Sequence, residues 1–111
     1  MAEEFEIECG VLKRYNGTDS AVTIPEGVTV IGVGAFSHSN CESLTSVTIP
    51  GGVWYIGMVA FLDCTLLEEI RYDGTKEQWK AAKKGVGWNA CVPAEYVVCT
   101  DGTVKLSLEL S

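Results

Sequence analysis

The chain has 111 residues, enough for one domain, and 47% of them are apolar, which excludes a disordered composition. No apolar run is long enough to cross a bilayer. The net charge of −7 is uneven: residues 1–70 hold ten acids and two bases, and residues 71–111 hold five acids and six bases. That front argues against direct nucleic-acid binding and would attract a basic partner, although solubility alone also accounts for it.

The chain opens with Met1-Ala2-Glu3-Glu4-Phe5-Glu6, acidic and without the apolar core of a secretory signal. As given it reads as cytoplasmic, or as cell-surface or secreted if it belongs to a longer exported protein. Phe5 to Glu8 and Val11 to Tyr15 flank Cys9-Gly10, a hairpin signal, and Asn16-Gly17 turns the chain onward. Then two stretches say nearly the same thing. Residues 22–36 read VTIPEGVTVIGVGAF and residues 47–61 read VTIPGGVWYIGMVAF. Leu67-Glu68-Glu69-Ile70-Arg71-Tyr72 begins a third, partial copy of Leu44 to Ile49. A period of about 25 residues points to a solenoid or a propeller rather than to a single-core enzyme domain.

Each unit reads as two short strands and a tight turn. Ser43 to Ile49 alternates, with Leu44, Val47 and Ile49 inward and Ser46 and Thr48 outward. Pro50 is expected to end that strand and Gly51-Gly52 to turn it. Val53 to Ile56 and Val28 to Ile31 form the second strands, broken by Gly57 and Gly32. Ala35-Phe36 and Ala60-Phe61 then plug the core from short helical turns. Beyond Asp73-Gly74, Thr75 caps a helix in capping-box form with Gln78, expected to run through Trp79 to Lys84 and to stop at Gly85. Trp79 and Ala82 share a face that can cover the last coil. Tyr96 to Thr100 and Thr103 to Leu106 flank Asp101-Gly102, a second hairpin. The expected fold is mainly β: a short solenoid with an N-terminal hairpin cap and a C-terminal helix-plus-hairpin cap. The single domain divides into a hairpin cap at 1–20, a first repeat at 21–46, a second at 47–69, and a partial repeat with its cap at 70–111.

Little in the chain carries catalytic chemistry. The five cysteines, Cys9, Cys41, Cys64, Cys91 and Cys99, are odd in number and form no CxxC, which fits free thiols. Cys41 and Cys64 hold matching repeat positions, as buried thiols of a core ladder would. The single histidine, His38, has only Cys41 beside it and lacks an orienting third group. One histidine and scattered cysteines do not make a metal site, and no cofactor is expected. Gly32-x-Gly34 lacks the third glycine of a dinucleotide loop. Lys76, Lys80, Lys83 and Lys84 near Trp79 and Trp88 read as a solvated helix face rather than as a single-strand nucleic-acid site.

The pattern IPxxVxxIGxxAFxxC…LxxVxIP resembles the BspA-like, or Treponema pallidum type, bacterial leucine-rich repeats. GVLKRYNGTDSAVTIPEGVTVIG and EIRYDGTKEQWKAAKKGVGWN followed by VVCTDGTVKL resemble terminal segments of such arrays. The resemblance implies a leucine-rich-repeat solenoid, a role in adhesion or protein binding, and no catalytic residues.

Between the fixed framework residues, the second repeat turns large and apolar. Thr29 becomes Trp54, Val30 becomes Tyr55, Val33 and Gly34 become Met58 and Val59, and Ser37 becomes Leu62. One reading is that these side chains fold back to cover the end of a short array. The other is an exposed patch that binds protein, since Trp, Tyr and Met are enriched in interface cores. The candidate protein-binding residues are therefore Trp54, Tyr55, Met58, Val59 and Leu62, with Glu69, Arg71 and Asp73 on a strand face as the second choice. The expected function is a non-enzymatic protein-binding module, monomeric or homodimeric through the same patch. The alternative is a small acidic inhibitor, of phage or mobile-element type, blocking a basic nucleic-acid-processing enzyme.

Overall fold

The structure, a computed structural model, describes residues 5–36 and 43–106. His38 and Cys41 lie outside the described residues, and so does the expected burial of the Cys41 thiol.

The two halves of each coil feed two different sheets. Strands β1 (Phe5–Glu8), β2 (Val11–Tyr15), β4 (Val30–Ile31), β6 (Tyr55–Ile56) and β8 (Lys83–Lys84) form the first sheet in the order β1-β2-β4-β6-β8. Strands β3 (Ala21–Thr23), β5 (Ser46–Pro50), β7 (Glu69–Asp73), β9 (Tyr96–Cys99) and β10 (Gly102–Lys105) form the second in the order β10-β9-β7-β5-β3. Pairing is parallel throughout except in the terminal hairpins β1–β2 and β9–β10. Successive coils thus lie one on the next, as the repeat requires.

Stacking turns equivalent residues into ladders. Val22 faces Val47, Val47 faces Ile70, and Ile70 faces Val97, all four buried. Leu12, Ile31 and Ile56 make a second buried ladder on the first sheet. A column of rings runs beside them. Phe5, Tyr15, Phe36 and Phe61 follow one another at centroid distances of 5.2, 5.2 and 4.8 Å. Trp88, Trp79 and Tyr72 continue the column edge-on at 6.2, 5.6 and 5.3 Å. The caps therefore do more than cover the ends: each supplies rings that extend the phenylalanine stack of the coils.

Two framework glycines are set by close approach. A β-carbon on Gly57 would sit 2.7 Å from Val33 N, and one on Gly32 would sit 2.8 Å from Leu12 O. Both neighbours are backbone of the preceding coil. Gly57 N donates to Ile31 O at 2.7 Å and Gly32 N to Leu12 O at 2.8 Å, so the bond that stitches the coils leaves no room for a side chain.

Several local expectations need correction or refinement. The second strands are shorter than expected, because Val28 N and Val53 N bond back to Pro25 O and Pro50 O and belong to the turns. Pro50 ends β5 from within it, still in register with Asp73. The segments carrying Phe36 and Phe61 are successive turns rather than helical ones: Val59 has φ +51, which breaks any helical run. The largest correction is at the C-terminal cap. Helix α1 covers Lys76–Ala81, with the expected capping box between Thr75 and Gln78, but its C-cap Ala82 is extended. Lys83 and Lys84 leave the helix and pair with Tyr55 and Ile56. Gly85 is accordingly the third framework glycine, its N–H donating to Ile56 O at 2.7 Å. The second hairpin also shifts by one residue: Gly102, at φ +143, pairs with Cys99, and Thr100-Asp101 makes the turn. Asp101 Oδ1 accepts from Lys76 N at 2.8 Å, which ties this hairpin to the helix.

Candidate protein-binding surface

On the first sheet the inward ladder fixes what faces out. Because Ile31 and Ile56 are buried, Val30 and Tyr55 point away from the core, with Val11 and Lys83 in the same row. Trp54 lies at the entry to this row, its N–H donating to Thr29 O at 2.9 Å. Its ring is 57% exposed and rests 5.9 Å from the Tyr55 ring. Trp54 therefore does not fold back over an end of the core.

A second apolar row follows the framework glycines. Val33, Met58 and Val86 occupy the same position in three successive coils and are 64%, 46% and 81% exposed. Gly34 N donates to Met58 O at 3.1 Å and Val59 N to Val86 O at 3.1 Å, so the row is held by the same inter-coil bonds as the sheet. Val33 and Val86 extend the predicted patch. Val86 is hidden from a reading that places Gly85 at a helix end, yet Gly85-Val86-Gly87 repeats Gly32-Val33-Gly34 letter for letter.

The residue after each of these has positive φ: Gly34 at 64°, Val59 at 51° and Gly87 at 69°. Coils one and three use glycine there. Coil two uses a β-branched residue, for which this region is a genuine outlier. Val59 and Leu62 are half-buried, with Val59 Cγ1 3.4 Å from where a β-carbon on Gly87 would lie. A groove of about 200 Å³ adjoins Trp54, between the Gly51-Gly52 turn and the helix end at Ala81 and Ala82.

The other candidates do not join this surface. Glu69, Arg71 and Asp73 lie on β7 of the second sheet. Arg71 Nε and Glu69 Oε2 form an exposed ion pair at 2.7 Å. Beside Arg71 and Asp73 runs a shallow groove of about 160 Å³ toward Val98 and Thr100. The sequence-derived set is thus split five and three between two sheets.

The lysine cluster also resolves differently. Lys84 takes the inward position of Ile31 and Ile56. Its Nζ lies 4.2 Å over the Trp79 ring and donates to Trp79 O and to Ala82 O, closing the helix C-terminus. Burial pushes its ammonium down to about 8, with the Cys99 thiol acting in the opposite sense. Among the described residues no group of histidine, cysteine and carboxylate side chains is placed to hold a metal ion, and no helix is long and apolar enough to cross a membrane.

Two parallel-stranded sheets, glycine-stitched coils and an exposed apolar face are the features of a leucine-rich-repeat array. Residues 14–81 match the family described as BspA type leucine rich repeat region (6 copies), and the chain belongs to it. Two solved structures share the fold. One is a leucine rich cell surface protein from Faecalibacterium prausnitzii A2-165, at 24% identity and a TM-score of 0.59. The other is the leucine rich repeat protein of T. pallidum, at 24% identity and 0.54. These alignments cover 86% and 76% of this chain but only 30% and 50% of theirs. No curated protein sequence matches it.

Proposed function

We propose that the chain is a non-enzymatic protein-binding module whose binding surface is the outer face of the first sheet, centred on Trp54, Tyr55 and Met58. The observation that carries this is the swap at coil two. Where its neighbours have Thr29, Gly34 and Gly87, coil two has Trp54 and Val59, both larger and more apolar, while Ile56, Gly57, Ala60 and Phe61 stay in the framework. A tryptophan that is 57% exposed and touches only the Tyr55 ring among the described aromatics contributes little to the core. The fold loses roughly 1–2 kcal/mol from a non-glycine residue in the left-handed region. Strain of that kind is tolerated where a surface is selected for something other than stability.

Paired melting and binding measurements test the proposal, with peptides selected from a displayed library as the binding partners. Trp54→Ala should leave the melting temperature nearly unchanged and cost at least about 2 kcal/mol of affinity, as a hot-spot aromatic does. Val59→Gly should raise stability by up to about 1 kcal/mol, strain relief less the entropy of an added glycine, and weaken binding. A Trp54→Ala variant that melts lower would mean the ring supports the fold. One that binds as well as the parent would move the site to the groove beside Arg71 and Asp73.

A further inference from the structure

The inner strands of the first sheet are basic in a way that the net charge conceals. Strands β2, β4, β6 and β8 carry Lys13, Arg14, Lys83 and Lys84 and no acid. The acids of the first sheet lie on its edge strand β1, and both are engaged within the molecule. Glu8 pairs with Lys13 at 3.4 Å, and Glu6 Oε2 accepts from Asn16 at 2.7 Å. The second sheet is mixed: β7 carries Glu69 and Asp73 with Arg71 between them, β10 carries Lys105, and Glu68 and Glu95 lie beside β7.

Lys83 is the telling residue. It sits in register beside Tyr55, is exposed, and its side chain makes no hydrogen bond or ion pair among the described residues. The nearest acid in the chain, Glu77, likewise forms no ion pair there with Lys80 or Lys83. A cation with no ion-pair partner among the described residues therefore stands at the rim of an apolar surface, about one strand spacing from an aromatic ring. Rim charges of this sort select partners and steer them.

We infer that the segment seated on the Trp54–Tyr55 face is acidic as well as apolar, with a carboxylate placed against Lys83. This rests on the protein-binding reading above and reverses the expectation, drawn from net charge, of a basic partner. Aliphatic side chains, Val30, Val33, Met58 and Val86, make up most of the face, which suits a peptide chain better than stacked bases.

Random peptides displayed on phage and selected against the full chain provide the test. The selected sequences should combine an apolar or aromatic anchor with Asp or Glu. Their synthetic forms should bind Lys83→Glu about tenfold more weakly, with Lys83→Gln intermediate and both variants melting like the parent. A peptide with its acid replaced by lysine should then prefer Lys83→Glu to the parent. Peptides that need Trp54 but carry no acid and ignore Lys83→Glu would overturn the inference while leaving the binding face intact. Peptides indifferent to Trp54→Ala would overturn the binding face itself. A fluorescent oligo-dT strand that binds the parent more tightly than any peptide, and is lost with Lys83→Glu, would assign the cation to nucleic acid and overturn the inference.

Discussion

Replacing Gly57 by alanine should split the stack at its centre. The added β-carbon would lie 2.7 Å from Val33 N, 2.8 Å from the Gly32 carbonyl carbon and 2.9 Å from Ile31 O. All three belong to the backbone of the preceding coil, so none can rotate away. Restoring an ordinary contact near 3.5 Å needs the coils to part by about 0.7 Å. That movement stretches the 2.7 Å bond from Gly57 N to Ile31 O and loosens the 4.8 Å stack of Phe36 on Phe61. Overpacking costs about 1–3 kcal/mol and the weakened bond about 1 more, so the expected loss is roughly 2–4 kcal/mol. Gly52 is the matched control. Nothing lies within 4 Å of a β-carbon built there, and its φ is not positive. Alanine at Gly52 should be neutral or stabilise by about 0.4–1 kcal/mol through the unfolded chain. Thermal melting by circular dichroism reads both, at about 4 °C per kcal/mol for a domain of this size. Gly57→Ala should therefore melt about 8–16 °C below the parent, with Gly52→Ala at or slightly above it. Equal melting of the two variants would refute the claim that Gly57 is there to let the coils touch.

The ring column makes Phe61→Ala a second stability test: removing a fully buried ring between Phe36 and Trp88 should cost about 3–5 kcal/mol in urea titration, and a parent-like midpoint would contradict the packing. Lys84 predicts a pH dependence. Its ammonium is held down at about 8 in the fold and returns to its ordinary value, above 10, on unfolding. The folded chain thus binds fewer protons between these values, and Lys84 contributes stability that grows as pH rises from about 8 and is lost as pH falls through it. The difference in melting temperature between the parent and Lys84→Met isolates this from Cys99 and Tyr72, whose raised values act in the opposite sense. It should shift in favour of the parent above pH 8, and a flat difference would remove the effect. Thiol labelling of the native protein should modify Cys9 and Cys91 quickly and Cys64 and Cys99 slowly. Cys64 is buried, with its thiol directed at Phe36 O, and burial together with Asp101 pushes the Cys99 thiol up; rapid labelling of Cys64 would contradict its place in the core.

Much of the fold was legible because it repeats. The VTIP register places Val22, Val47 and Ile70 in one ladder, and Thr75 with Gln78 announces the helix start. What was not legible came from residues that serve two patterns. Lys83-Lys84-Gly85 after a capped helix reads as a basic last turn and a C′ glycine, and a lysine at the position of Ile56 interrupts the apolar period. Tertiary pairing overrides that local signal: the free edge of Tyr55-Ile56 takes up the next strand, and Lys84 instead satisfies the helix carbonyls. On the site, Trp54 and Met58 stood out because large residues occupied slots where small ones sit in the neighbouring coil. Val33 was passed over as the small member of that comparison, although its exposure exceeds that of Met58. Glu69, Arg71 and Asp73 are close to Trp54 in sequence, and only the assignment of strands to two sheets separates them. The strain at Val59 was readable in principle, from its alignment with Gly34.

The central claim is that partners engage the face of Trp54 and Met58 rather than the face of Arg71. Hydroxyl-radical footprinting of the protein with and without a selected peptide tests it most directly, because both sheets carry exposed, oxidisable side chains. Trp54 and Met58 mark the first sheet, and Tyr96, 48% exposed, marks the second. Binding should protect Trp54 and Met58 several-fold and leave Tyr96 oxidised at its free rate. Protection of Tyr96 with Trp54 and Met58 unchanged would contradict the account and move the binding surface to the second sheet.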